Sequence, residues 1–309
     1  MALRLLGHIE LPPNRSKGGF DHADVHRGAD RLYVAHTSNN AVDLIDTARD
    51  RYIESISGFA AVAGALVSEA RGLVFTSNRG EDTVSVFAPG SEREAFKIPV
   101  GVKPNGLAFD AARGILIAAN VGDPSIPNSH SVSVVDLARR ERIAEVMVPG
   151  RTRWAIFDES REAFFVNIAS PARIVAIDAR NPTKISREYD IPAVGPHGLD
   201  LDPATDRLMC ACDAGVLLAI DPDSGEALGE VGLSGSPDVI FLHRRPIGRL
   251  YVAVGDPGVI DVIDVETMRR EEIVMTEAGA HTLALDRRRN KVYAFLPQSH
   301  RAAVFQETI

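Results

Sequence analysis

Short hydrophobic runs alternate with polar turns along the whole chain. One type of run is rich in β-branched residues that largely alternate with other residues, and a turn containing Asp, Pro, Gly or Arg follows most copies. Its copies span residues 41–46, 83–87, 131–136, 173–178, 216–221, 259–264 and 301–305. A more polar run comes after most of them, as at residues 51–57 and 140–148. This pattern predicts a set of short antiparallel strands and almost no helix.

A second pattern recurs at a nearly constant spacing. Segments 105–110, 197–202 and 281–286 each begin with Asn or His, continue through a hydrophobic strand and end in Asp. Aligning the other units on the turn that follows gives one position per unit, at steps of 42, 42, 48, 44, 41 and 43 residues: Asp21, Ala63, Asn105, Arg153, His197, Asp238 and His281. A period in the low forties with four short strands is typical of a β-propeller blade. We therefore predict an all-β, seven-bladed β-propeller with four-stranded antiparallel blades, formed by residues 1–309 as a single domain.

The seventh unit ends after its third strand. Residues 3–10 resemble the fourth strands of the other units, so we expect the N-terminal strand to complete the last blade. Pairing the two ends of the chain would remove an open sheet edge.

Composition narrows the function mainly by exclusion. The net charge of −8 argues against nucleic acid and anionic membranes as partners, and no run of 18 apolar residues occurs. Residues 1–11 do not read as a signal peptide, so we expect a cytoplasmic protein, or a periplasmic or secreted one if a leader has been removed. We expect a monomer. Cys210 and Cys212 point to the same face of one strand and are expected to be small buried residues, the alternative being a pair of soft-metal ligands.

The aligned positions mark the starts of the innermost strands, so their side chains are expected to meet around one mouth of the central channel. One arc combines imidazoles and carboxylates from neighbouring blades: His197, Asp238, His281 and Asp21, with His22 beside it. These five could bind a divalent metal ion of unknown identity, and His197, His281 and Asp238 could equally act as a metal-free acid–base set. The other arc offers substrate contacts from Asn105, Arg153 and Trp154, beside the small Ala63. Arg153 is expected to lie opposite the imidazoles and to bind an anionic ligand.

Other polar positions carry weaker predictions. The ends of the second strands form another ring, expected to contain mainly turn-forming residues: His36, Asn78, Asn120, Asn167, Asp213 and Asp256. Within that ring, His36 is a further candidate substrate contact. His26 and His243 fall at the opposite face and are expected to be structural. An insertion between Asn120 and Ser131 is either a lid over the mouth or a tolerated longer loop.

Several segments carry a resemblance to a known family. Residues 31–35 read Arg-Leu-Tyr-Val-Ala, followed by Asn39 and Asn40, and residues 249–253 repeat Arg-Leu-Tyr-Val-Ala. With the Pro-Asn-Gly-Leu-Ala-Phe segment at 104–109, they resemble the YVTN-repeat, YncE-like propellers. Related propellers include streptogramin B lyases, 6-phosphogluconolactonases, gluconolactonases and peptide-amidating lyases, several of which carry metals or catalytic histidines at the channel mouth. The resemblance implies the fold and leaves the activity open.

Three functions follow from these observations. The first is a small-molecule enzyme of the lyase or lactone-hydrolase type that uses the channel-mouth His/Asp site. The second is a propeller that binds a ligand or protein without turnover, and the third is a structural scaffold. No phosphate-binding loop, dinucleotide-binding glycine motif or nucleophile elbow is present in the sequence.

Overall fold

A computed structural model describes residues 2–244 and 247–308. It shows seven four-stranded antiparallel sheets arranged as the blades of a propeller, as predicted. Blade one contains β2 (Ala23–His26), β3 (Arg31–His36), β4 (Ala41–Asp46) and β5 (Arg51–Ser57); blade two contains β6 (Val62–Ser68), β7 (Leu73–Asn78), β8 (Thr83–Phe87) and β9 (Phe96–Pro99); blade three contains β10 (Pro104–Asp110), β11 (Ile115–Asn120), β12 (Ser131–Asp136) and β13 (Glu141–Met147). Blade four contains β14 (Thr152–Asp158), β15 (Ala163–Ile168), β16 (Arg173–Asp178) and β17 (Arg187–Asp190), and blade five contains β18 (Pro196–Asp202), β19 (Arg207–Cys212), β20 (Val216–Ile220) and β21 (Ala227–Gly232). Blade six contains β22 (Pro237–His243), β23 (Arg249–Val254), β24 (Val259–Asp264) and β25 (Arg269–Met275), and blade seven contains β26 (Thr282–Asp286), β27 (Lys291–Leu296), β28 (Arg301–Glu307) and β1 (Leu3–Glu10).

The two ends of the chain close the ring, as the sequence predicts. β1 pairs with β28 in antiparallel register from Leu3 opposite Glu307 to Glu10 opposite Arg301, with an irregularity between Leu5 and Gly7. Short 3-10 helices occur at Thr37–Asn39 and Glu92–Glu94, and no helix in the described part of the chain is long and apolar enough to span a membrane.

Burial follows the hydrophobic pattern. The second and third strands of each blade are almost wholly buried, whereas the fourth strands contain mostly exposed and partly buried residues. Three large tyrosines of the second strands are buried, and their hydroxyl groups donate to carboxylates: Tyr33 to Glu92, Tyr251 to Glu307 and Tyr293 to Asp50. Each phenol therefore packs in the core without leaving its hydroxyl unsatisfied.

Small residues let neighbouring blades approach closely beside the channel. A Cβ atom on Gly106 would lie 2.4 Å from the carbonyl oxygen of Arg153, and one on Gly198 would lie 2.6 Å from that of Asp238. Each glycine follows an aligned polar position in its own blade and contacts the aligned residue of the next blade. The backbone contact therefore sets the spacing between side chains at the mouth.

The two cysteines and the two histidines expected to be structural are all buried. Cys210 and Cys212 are completely buried free thiols, and their sulfur atoms lie 3.9 Å apart. The Nδ1 atom of His26 accepts a hydrogen bond from the amide of Ala29, and His243 Nδ1 lies 2.6 Å from Glu307. Both imidazoles are buried at the end of the innermost strands that lies away from the aligned positions.

Candidate functional site

The aligned positions lie at or just before the starts of the innermost strands, at one end of the channel. Asn105, Arg153, His197 and Asp238 are each the second residue of their strand, and His281 immediately precedes β26. In blade one, Asp21 and His22 both precede β2, and the amide of His22 donates to the carbonyl of Ala63 in blade two. This end of the channel is the mouth predicted from the sequence.

His197 lies between two carboxylates. Its Nδ1 atom is 2.7 Å from Asp213 Oδ1, and its Nε2 atom is 3.1 Å from Asp238 Oδ1. Burial lowers the pKa of His197, but the charge of Asp238 and the hydrogen bonds to both carboxylates outweigh burial and raise that pKa to about 9. His197 is therefore an imidazolium at neutral pH, and its charge holds the pKa of Asp238 below its usual range against the opposing effect of burial.

Arg153 lies beside His197, which differs from the predicted position across the channel. Its Nη1 atom is 3.2 Å from His197 Nε2, and its Nη2 atom is 3.3 Å from Asp213 Oδ2. Blades four and five are neighbours in the ring, so their aligned side chains must be close. The Nε2 atom can accept from Arg153 when the ring is neutral or donate to Asp238 when it is protonated. The raised pKa of His197 favours the second arrangement.

Two further guanidinium groups belong to the mouth. Arg79 is 3.0 Å from Asp21 through Nη2, and the Arg151 side chain makes no ion pair within residues 2–244 and 247–308. Burial, together with the charges of Arg153 and Arg79, lowers the pKa of Arg151. The buried Nε atoms of Arg79 and Arg153 have no hydrogen-bond partner in the described protein. The exposed guanidinium of Arg151, by contrast, can donate to an anion at the mouth.

His22 and Trp154 form a partition below these charges. The two rings have centroids 4.2 Å apart, and Trp154 also makes an edge contact with Phe241 at 6.3 Å. Blades one, four and six contribute these rings, so the indole extends across the channel. Burial lowers the pKa of His22 below its usual value, although Asp21 lies 3.4 Å from its Nε2 atom. His22 is therefore a neutral imidazole at neutral pH.

The other predicted site residues differ in their contacts and in how accessible they are to a substrate. The Nδ1 atom of His281 donates to the carbonyl oxygen of Gly279 at 2.9 Å. Asn105 has a buried Oδ1 atom without a partner in the described protein. His36 is completely buried, with both ring nitrogens bonded, to Asp43 and Asn14. Its position leaves no ring atom for a substrate.

The predicted metal ligands can be compared with the positions of their side chains. Within residues 2–244 and 247–308, no three His, Cys, Asp or Glu side chains are grouped so that they could hold a metal ion. Both nitrogens of His197 already contact carboxylates, and an imidazolium has no free lone pair for a metal. Metal binding by His197, His281, Asp238, Asp21 and His22 therefore stays a prediction, and in this structure His197 contacts two carboxylates through its two ring nitrogens.

Sequence reasoning did not assign three important residues to the site. Asp213 was expected only to form a turn, yet it holds His197. Arg79 directly follows the ring position Asn78, and Arg151 is two residues before Arg153. The repeat could have identified Arg79 and Asp213, because both lie at the ends of second strands on the same face as the mouth.

Among the comparisons with known proteins, only the one with solved structures found matches, and these matches concern the fold. No family model matches the chain, and no curated protein sequence matches it. A streptogramin B lyase structure is 14% identical, with 99% of this chain and 98% of that chain covered and a TM-score of 0.81. Hydrazine synthase from Kuenenia stuttgartiensis is 13% identical, with 94% and 96% covered and a TM-score of 0.78. The WD40 propeller domain of Doa1 is 11% identical, with 99% and 97% covered and a TM-score of 0.79. These matches confirm the propeller fold.

Proposed function

We propose that the protein is an enzyme of the lyase or lactone-hydrolase type that binds a small anionic molecule at the mouth and transfers protons through His22 and His197. The observation that carries this proposal is the opposite displacement of two imidazole pKa values within one site: that of His22 is lowered and that of His197 is raised to about 9. Paired titratable groups with diverging pKa values are typical of acid–base catalysis.

The charges at the mouth support an anionic substrate. One connected group of charges at the mouth comprises the guanidiniums of Arg79, Arg151 and Arg153, the His197 imidazolium and the carboxylates of Asp21, Asp213 and Asp238. This set has one positive charge in excess. A carboxylate or phosphate on the substrate can accept from the exposed guanidinium of Arg151 and from the partly exposed one of Arg153, which fixes its orientation above Trp154.

The same two imidazoles can serve either reaction type. In an elimination, His22 takes a proton from carbon, the C–H electron pair forms a C=C bond, and His197 protonates the leaving oxygen as its bond to carbon breaks. In lactone hydrolysis, His22 takes a proton from water, the water oxygen attacks the carbonyl carbon, and His197 protonates the ring oxygen as the acyl C–O bond breaks. His22 is 6% exposed, which protects its neutral form from solvent.

The test combines binding and turnover. Small carboxylates, phosphate esters and lactones are screened by thermal shift and by the emission of Trp154, the only tryptophan in the chain. Turnover is followed by proton release for lactones and by ultraviolet absorbance for new double bonds. We expect His22→Gln and His197→Gln to keep binding but to lose roughly 10²–10⁴-fold in kcat.

His281→Gln is the matched control, because His281 is a mouth histidine whose ring is bonded to a backbone carbonyl. It should change kcat by less than about threefold. Equal losses in all three variants would contradict the roles given to His22 and His197. Binding that depends on Arg153 but never leads to turnover would instead establish the non-catalytic ligand-binding alternative, which the exposed guanidinium of Arg151 also fits.

A further inference from the structure

A cavity lies on the side of the His22–Trp154 partition that faces away from the mouth. Its volume is about 990 Å³, and it extends from these two rings to the turns at residues 110–113 and 158–162, where innermost strands end. It therefore opens at the end of the channel away from the mouth. The mouth residues Arg153, His197 and Asp238 do not line it.

Two carboxylates project from the wall of this cavity at equivalent repeat positions. Asp24 and Asp200 each lie three residues after the aligned position of their blade. Asp24 accepts from the amides of Val25 and Val67, and Asp200 accepts from those of Leu201 and Leu242, all at 2.8 Å. Neither carboxylate forms an ion pair with any described residue. Burial raises the pKa of Asp24, so a cationic partner would stabilise its charged form.

Aromatic rings occupy much of the remaining wall. Phe109, Phe157, Phe241 and Trp154 line the cavity, and all four are only partly buried. The faces of such rings attract organic cations, most strongly when water is excluded. A cavity with carboxylates on two sides and aromatic walls thus combines the two features that favour an ammonium group on an apolar body.

Among the described residues that line this cavity, three are arginines: Arg113, Arg244 and Arg287. Arg113 is paired with Asp110 and Glu162, and the guanidinium of Arg287 donates twice to the carbonyl of Leu242. Arg244 is exposed at the rim, as is Glu159. Asp158 pairs with Arg161. Arg287 and Arg27 favour the charged form of Asp24 but form no ion pair with it, so neither Asp24 nor Asp200 has a paired cation among the described residues.

We propose that this cavity is a second binding site and that its ligand is an organic cation, an amine or quaternary ammonium group joined to an aromatic or apolar body. The ammonium group lies between Asp24 and Asp200, and the apolar body packs against the Phe and Trp rings. Blades five and one are separated by blades six and seven, so the two carboxylates approach such a group from well-separated parts of the wall.

Three probes of similar shape and different charge test the proposal: 2-phenylethylamine, 2-phenylethanol and 3-phenylpropanoate. Binding to the full chain is measured by calorimetry and by Trp154 emission. We expect the amine to bind roughly tenfold or more tightly than the alcohol and the acid not to bind at this site. Equal affinity for amine and alcohol, preference for the acid, or no binding of the amine at millimolar concentration would overturn the proposal.

Variants locate the binding. Asp200→Asn and Asp24→Asn should each weaken amine binding roughly tenfold, while each retains an oxygen that can accept one backbone amide. Glu159→Gln removes the same charge from the rim and should change the affinity by less than about twofold. Arg153→Ala, at the mouth, should leave amine binding unchanged. Melting curves of the Asn variants separate loss of fold from loss of binding, and unchanged affinity in both folded Asn variants would contradict the site.

Discussion

At the scale of single residues, two histidines of the mouth differ in their surroundings. His197 is 12% exposed in its side chain and contacts two carboxylates, whereas His22 is buried against Trp154 with one carboxylate at the longer distance of 3.4 Å. Desolvation acts on both rings in the same direction. The number and closeness of the carboxylates determine which ring keeps its proton at neutral pH.

The raised pKa of His197 predicts a pH dependence of stability. The unfolded ring has a pKa of 6.5 and the folded ring one of about 9, so folding favours the protonated form. This contribution to the free energy of unfolding is complete below pH 6.5, is lost as the pH rises through about 9, and amounts to roughly 3 kcal/mol. Urea unfolding of the native protein and of His197→Gln should show a stability difference that shrinks over this range. A constant difference from pH 6 to 10 would show that the ring does not titrate there.

The acid–base account also predicts the effect of metal removal. Because His197 engages carboxylates through both nitrogens, prolonged treatment with a chelator should leave anion binding and melting temperature unchanged. Metal content before and after treatment is measured by mass spectrometry. A stoichiometric metal whose removal abolishes binding would favour the metal site predicted from the sequence.

The sequence predicted some of these residues because the repeat places them in equivalent positions. His197, Asp238 and Arg153 follow directly from that alignment. It could not reveal that Arg153 pairs with Asp213, because side-chain partners depend on rotamers. His36 shows the reverse: its position in the second ring is as expected, but Asp43 and Asn14 bond both of its nitrogens inside the protein.

At the scale of elements, the innermost strands position the site. Gly198 in β18 and Gly106 in β10 allow the next blade to approach so closely that a methyl group would collide with a backbone oxygen. The side chains of neighbouring blades, such as His197 and Asp238, can then contact each other directly. The small residue after the aligned position is thus part of the site.

A substitution within blade five tests this role. Gly198→Ala would place Cβ 2.6 Å from the carbonyl oxygen of Asp238 and 2.8 Å from Ile240, so we expect a loss of about 1–3 kcal/mol and displacement of Asp238. Gly232→Ala in the outer strand β21 is the matched control, since no atom lies within 4 Å of its added Cβ. Chemical denaturation measures the free energy of unfolding of both variants. Equal losses in the two variants would argue against the close approach of the two blades at Gly198.

Strand positions were predictable to a greater extent than site contacts. All seven third strands lie where the hydrophobic alternation places them, although β20 ends at Ile220 and β28 extends to Glu307. Such small differences arise because pairing with neighbouring strands, rather than side-chain pattern alone, determines where a strand ends. The loop between Asn120 and Ser131 lies at the mouth end, and Asp123 within it pairs with Lys103.

At the scale of the whole molecule, ring closure keeps the blades in place around the channel. β1 supplies the outer strand of blade seven, and the amides of Ala2 and Leu3 also bond to Glu272 in blade six. A strand from the start of the chain thus links the last two blades.

Deletion of residues 2–10 tests closure. It removes every pair between β1 and β28 and exposes one edge of blade seven, so the melting temperature should fall markedly. Leu5→Ser, at an exposed position in the same strand, should change stability by only about 0.5 kcal/mol. A truncated protein that melts like the full chain would contradict closure by this strand.

The central claim is that two imidazoles at one channel mouth hold different protonation states at neutral pH. Nitrogen NMR of histidine-labelled protein measures this directly, with the His22→Gln and His197→Gln variants used for assignment. We predict that His197 titrates at about pH 9 and that His22 titrates below 6.5. If both rings titrate together near 6.5, or if His22 keeps its proton to higher pH than His197, the proposed division into base and acid is contradicted.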